Sequence, residues 1–131
     1  MVKATLFIDG ARFRIYLLTV DGRSEVKDFF DWGIADSGMR GIVSGFVVML
    51  NHMGSAGMAD LTDKQLKCWR HSGEMMCELR KGRHRISAFH YQGRIVLLAT
   101  HFQKTKDVET AEYDRALRLK RRFDAEGTWE D

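Results

Sequence analysis

Residues 80–85 read Arg-Lys-Gly-Arg-His-Arg, so five of six side chains are basic. If 81–84 is the four-residue loop of a hairpin, Arg80 and Arg85 face each other on adjacent strands. Like charges so placed repel, and the pair makes sense where something anionic sits between or beside them. Arginine grips phosphate and carboxylate through two parallel hydrogen bonds, and Lys81, Arg83 and His84 add to the same locus. The alternative is that Glu78 or Glu74 neutralises one arginine while the other stands in solvent. A second basic group, His101, Lys104 and Lys106, surrounds Phe102. Just ahead of a helix, this segment can offer backbone N–H groups to a phosphate, or it can be an ordinary exposed loop.

Other chemistries find little support. His52, His71, His84, His90 and His101 are scattered, no Cys/His spacing fits a zinc site, and no cofactor is expected. Cys68 and Cys77 stand alone in a chain without a secretion signal, so they read as two reduced thiols. The longest apolar run, 42–50, is broken by Ser44 and Gly45 and too short to span a bilayer. A single cytoplasmic domain with no membrane contact is expected.

The elements that must position the basic residues follow from periodicity. Residues 12–20 are rich in aliphatic and aromatic side chains and read as a strand, with 5–8 as a short partner across an Asp9-Gly10 turn. Ser24 caps a short helix ending near Trp32-Gly33. A second helix over 37–53 places Met39, Ile42, Val43, Phe46, Leu50 and Met53 at helical spacing, with Gly38, Gly41 and Gly45 suited to close packing. From Glu74 the period becomes two. Residues 74–80, 85–91 and 94–102 form a three-stranded antiparallel meander, the last strand apolar enough to be central. A final helix runs over 107–123, capped by Asp107 and packed through Ala111, Ala116, Leu119 and Phe123. The fold class is α+β.

Charge is segregated along the chain. Residues 1–63 carry six Lys/Arg against eight Asp/Glu (−2), residues 64–122 fifteen against six (+9), and the last nine residues four acids and no base (−4). The basic stretch is the place to seek an anionic partner, nucleic acid being the commonest. The acidic tail, 124–131, is expected to be disordered unless it folds back over the basic strip; Trp129 has no evident role.

Several segments resemble, in order, the phage-derived HigB-like branch of the RelE toxin family. They are Asp21-Gly22-Arg23-Ser24-Glu25-Val26 with Phe29; Gly73 through Glu78-Leu79-Arg80; Arg85-Ile86 with Phe89; Gly93 with Ile95-Val96-Leu97-Leu98; and Phe102-Gln103-Lys104-Thr105-Lys106. Together they cover nearly all of 13–123. The sequence departs from the pattern where Thr105 directly follows Lys104, where the usual prolines are missing, and where Cys77 replaces an aromatic. The resemblance implies a compact RelE-like fold and a toxin paired with a helix-turn-helix antitoxin. It also implies ribosome-dependent, metal-independent cleavage of mRNA in the A site, and so inhibited translation. On that reading Arg80, Arg85 and Lys104 are catalytic, and Lys81, Arg83, His84, His101 and Lys106 bind RNA. Lys104 or His101 would move protons, with Tyr91 and Tyr113 as weaker candidates for stacking or acid/base work. The competing expectations are a non-catalytic RNA- or protein-binding module of the same fold, such as a phage regulator, and an unrelated adaptor.

Overall fold

The computed structural model describes residues 1–106 and 109–131. The fold is α+β: among the described residues, three helices pack on a seven-stranded mixed sheet ordered β3-β4-β5-β6-β2-β1-β7. The N-terminal hairpin is β1 (Val2–Asp9) and β2 (Arg14–Val20). Helices α1 (Glu25–Ala35) and α2 (Arg40–Ala56) follow. Next come β3 (Leu66–His71), β4 (Glu74–Lys81), β5 (His84–Tyr91) and β6 (Arg94–Phe102), then α3 (Thr110–Glu126) and β7 (Thr128–Glu130). β2 lies parallel to β6, to which it is joined through α1, α2 and β3–β5, and β7 lies parallel to β1.

Each sheet face has its own core. Helices α1 and α2 cover one, where Val26, Phe30, Phe46, Leu50 and Met53 meet Ile15, Leu17, Leu79, Ile86 and Leu97. Helix α3 covers the other through Ala116, Leu117 and Phe123, against Tyr16, Leu18, Met76, Phe89 and Val96. The middle of β6 is buried on both sides, as its unbroken apolar run requires. Ser24 caps α1 by accepting from the Lys27 N–H, although the helix runs on to Ala35. The expected Asp107 cap lies outside the described residues. Glu109 occupies the N-cap of α3, and Ala111 is exposed rather than part of its packing stripe.

Three expectations need correction. The meander has four strands, because β3 precedes the three foreseen. β3 buries only Leu66, and an edge strand lined with Lys67, Arg70 and His71 gives no alternation to read. Cys68 and Cys77 are not two reduced thiols: they lie directly opposite in the β3–β4 register and form a disulfide. The acidic tail is ordered as β7 and does not cover the basic strip. Trp129 packs edge-on against Tyr16 and Phe123, with the Arg94 guanidinium 4.7 Å above its ring, and Asp131 accepts from the Tyr16 hydroxyl and Arg14.

The disulfide closes a short loop of the chain, with a sequence separation of 9. Constraint of the unfolded chain by a loop this size is worth about 2–3 kcal/mol. Cys68→Ser, at the exposed member of the pair, is therefore expected to lower the urea unfolding free energy by that amount. Reductant should lower the parent equally and the variant not at all; a parent indifferent to reductant would remove the crosslink from the fold.

Candidate functional site

One end of the sheet gathers the basic residues. Arg80 lies opposite Arg85 and Arg85 opposite His101, while Lys81 lies opposite His84 and His84 opposite Phe102. The β4–β5 connection is a two-residue turn, Gly82-Arg83. Gly82 takes φ 59°, a left-handed value that a side chain disfavours in a tight hairpin turn. The Gln103 N–H donates to the Arg83 carbonyl over 2.8 Å, drawing the segment beyond β6 alongside this turn. The structure thus brings Arg80, Lys81, Arg83, His84, Arg85 and His101 to one end of the sheet but not to one face. Arg80, Arg85 and His101 share the face that α3 covers, Lys81, His84 and Phe102 share the opposite one, and Arg83 lies in the turn. Lys104 follows just beyond, and Lys106 is exposed two residues further along.

At the centre sits a residue that sequence reasoning cast as a partner to one arginine only. Glu78 is wholly buried (0% exposed), and its Oε1 meets both guanidiniums, Nε of Arg80 at 2.9 Å and Nε of Arg85 at 3.4 Å. Neither arginine waves in solvent, and Glu74 serves α3 instead, through Lys120 and Arg121. Arg85 is fixed further: Nη1 donates to the carbonyls of Gly82 and His84, and Nη2 to Oε1 of Gln103. Burial pulls its guanidinium below the ordinary value, against the opposing pull of Glu78. Arg80 donates through Nε to Glu78 and through Nη1 to the Asp63 carbonyl, which leaves Nη2 unbonded among the described residues. Of the two arginines, Arg80 is the one with a free edge.

Glu78 Oε2 is buried and makes no hydrogen bond among the described residues. The Tyr113 phenol stands near this carboxylate. Burial pushes its pKa up and Glu78 adds to the effect, so Tyr113 keeps its proton at neutral pH. Its ring lies against Trp69 and His101. Burial, then the charge of Arg85, lowers the His84 pKa, so this imidazole is neutral at pH 7 and able to accept a proton. The ring of His84 bridges Phe29 and Phe102. Phe102 itself is 45% exposed at the end of β6, with His84 against part of its ring.

Two candidates fare differently. Tyr91 lies at the far end of β5, stacked on Trp129 and away from the strip. At the start of α3, the Lys104 N–H donates to Oε1 of Glu109, so a carboxylate already holds the place considered for a phosphate. Glu78, Gln103 and Tyr113 gave weak signals. The spacing of Glu78 and Arg80 puts both on one strand face, but alternation does not say how many partners a carboxylate gathers. Among the described residues, no group of three or more His, Cys, Asp or Glu is placed to hold a metal ion, and no helix is long and apolar enough to cross a membrane. No protein-family model matches the chain, and no curated protein matches it.

Proposed function

We propose that this protein is a RelE/HigB-type toxin, a ribosome-dependent endoribonuclease that cleaves mRNA and is held in check by an antitoxin. The observation that carries the reading is the pair Arg80–Arg85, clamped on one buried carboxylate on the same sheet face as His101, with His84 and an exposed Phe102 on the other face of the same sheet end. In this reading β2, α1, α2, β4, β5, β6 and α3 are a RelE-like core, to which β1, β3 and β7 add edges.

The chemistry follows from what the residues can do. The RNA 2′-oxygen attacks the adjacent phosphorus as its proton leaves. A bond forms from 2′-O to P and the bond from P to 5′-O breaks, giving a 2′,3′-cyclic phosphate and a 5′-hydroxyl. His101, on the same sheet face as the two arginines, suits removal of the 2′ proton, and Lys104 suits donation to the departing 5′-oxygen. The free edge of Arg80 faces the charge that builds on the phosphorane oxygens. Arg85 holds the frame through Gln103 and the turn carbonyls, and Phe102 offers a ring for an unstacked base.

A second reading, a binding module that cuts nothing, draws on Glu78: it neutralises one of the two arginine charges and leaves Arg85 few donors to give. Controlled expression in a bacterial host, with mapping of mRNA 5′ ends, separates the two. Growth arrest with cleavage inside translated messages is expected, and Lys104→Ala should relieve it. Arg85→Ala is a poor control, because it strips the turn of structural bonds. Healthy growth with intact messages, from soluble protein, would favour the binding module.

A further inference from the structure

A groove of about 700 Å³ opens between α2 and the start of β3, on the far side of the β4–β5 turn from Phe102. Lys64, Arg80 and Lys81 line it, with Val48 and Met49 of α2. Its acid, Asp60, is taken by His52 at 2.7 Å. Lys64 and Lys81 make no salt bridge among the described residues, so two ammonium groups and the free edge of Arg80 share one concavity with a single carboxylate, Asp60, which is turned to His52. Val48, 69% exposed, adds an apolar wall.

Gly45 explains how Lys81 reaches this place. A methyl group at Gly45 would lie 2.6 Å from Cε and 2.9 Å from Cδ of Lys81, so the lysine crosses α2 where the helix has no side chain. A glycine inside a helix costs about 1 kcal/mol relative to alanine. Gly41, one turn earlier, meets nothing, so close packing between helices does not account for both glycines.

We infer that this groove is a nucleotide subsite next to the scissile phosphate: Lys64 and Lys81 hold a phosphate of single-stranded RNA, and the attached base lies on Val48 and Met49. Volume and lining suit a ligand of this class, since small-molecule sites span roughly 300–1,000 Å³ with an apolar wall and few polar anchors. Continuity favours RNA over an acidic peptide: Lys81 and Gly82 belong both to the groove and to the turn, so one strand can pass from the groove over Arg83 to Phe102. The inference rests on the RNA-binding reading above.

An uncleavable 2′-O-methyl single strand, fluorescein-labelled, tests it by anisotropy over a range of salt, while NMR follows the methionine ε-methyl groups. The Met49 methyl is expected to move on titration, and that of exposed Met75, at the other end of β4, to stay. Lys64→Gln and Lys81→Gln should each weaken binding severalfold and flatten the salt dependence by about 0.7 in log–log slope, the share of one phosphate contact on a single strand. Arg118→Gln, on exposed α3, should not flatten it. Gly45→Ala should displace the Lys81 ammonium and weaken binding with no loss of helix. If RNA binds in a manner sensitive to Phe102→Ala while Met49 stays still, the subsite is overturned and the RNA reading survives. If no RNA binds the parent protein, both fall. If a polyglutamate peptide moves Met49 and RNA does not, the groove belongs to an acidic protein segment and the inference is wrong.

Discussion

Glu78→Ala is expected to lower the unfolding free energy by about 3–5 kcal/mol, the usual cost of removing one partner from a buried ion pair. Arg85, with a side chain only 10% exposed, would keep its charge and lose the one carboxylate it pairs with among the described residues. Arg80 would lose its short Nε contact, and the two guanidiniums, directly opposed in the β4–β5 register, would face each other unscreened. Domains of this size are stable by only about 5–15 kcal/mol, so the variant stands close to unfolding at ordinary temperature. Glu78→Gln, which keeps the shape and one carbonyl acceptor, should fall between. Urea titration followed by circular dichroism measures both. A loss below about 1 kcal/mol in the alanine variant, the range of exposed pairs, would mean the carboxylate does not hold the arginines together.

Such a cluster is not explained by stability alone. Buried ionic groups can often be replaced together by apolar side chains at no net cost, because desolvation consumes much of their attraction. Leucine-like residues at 78, 80 and 85 would extend the core already formed by Met76, Phe89 and Leu117. What the apolar version lacks is two guanidiniums held at a fixed spacing at the sheet end, which is a requirement of anion chemistry and not of folding.

Legibility divides along physical lines. The facing of Arg80 and Arg85 follows from a short turn and the period of two along a strand, both local properties, and the hairpin has that register. β6 was legible as a central strand because burial on both faces leaves an unbroken apolar run. β3 was not, since one buried residue in six leaves no pattern, and the disulfide stayed hidden with the strand that carries half of it. β7 was hidden for another reason. Its three residues pair with Lys3, Ala4 and Thr5 across nearly the whole chain, and the segment is held by one aromatic ring, Trp129, amid acids that read as solvated. The groove beside α2 was invisible because its lining comes from a helix, a loop and a strand end. Gly45 looked like a helix-packing residue when what crosses it is a lysine from β4.

Arg80→Ala is expected to slow mRNA cleavage on the ribosome by about 10²–10³-fold, the usual loss when one donor to a developing oxyanion is removed. The same change should cost the fold about 1–3 kcal/mol, because it takes the 2.9 Å hydrogen bond from Oε1 of buried Glu78. The loss stays below that of Glu78→Ala, since the Arg80 side chain is 25% exposed and Glu78 keeps Arg85 at 3.4 Å. That separation of rate from stability is what distinguishes Arg80 from Arg85, whose loss would strand the Gln103 amide and two turn carbonyls as well. Arg80→Lys sharpens the test. An ammonium restores the charge but not the planar fork that reaches Glu78 through one edge while leaving another for phosphate. A lysine variant with much of the fold stability and little of the cleavage would locate the requirement in guanidinium geometry rather than in net charge. Cleavage at the parent's rate in the alanine variant, on ribosomes programmed with the same message, would remove Arg80 from the chemistry and leave the exposed residues Lys104 and Arg83 as the cations to test next.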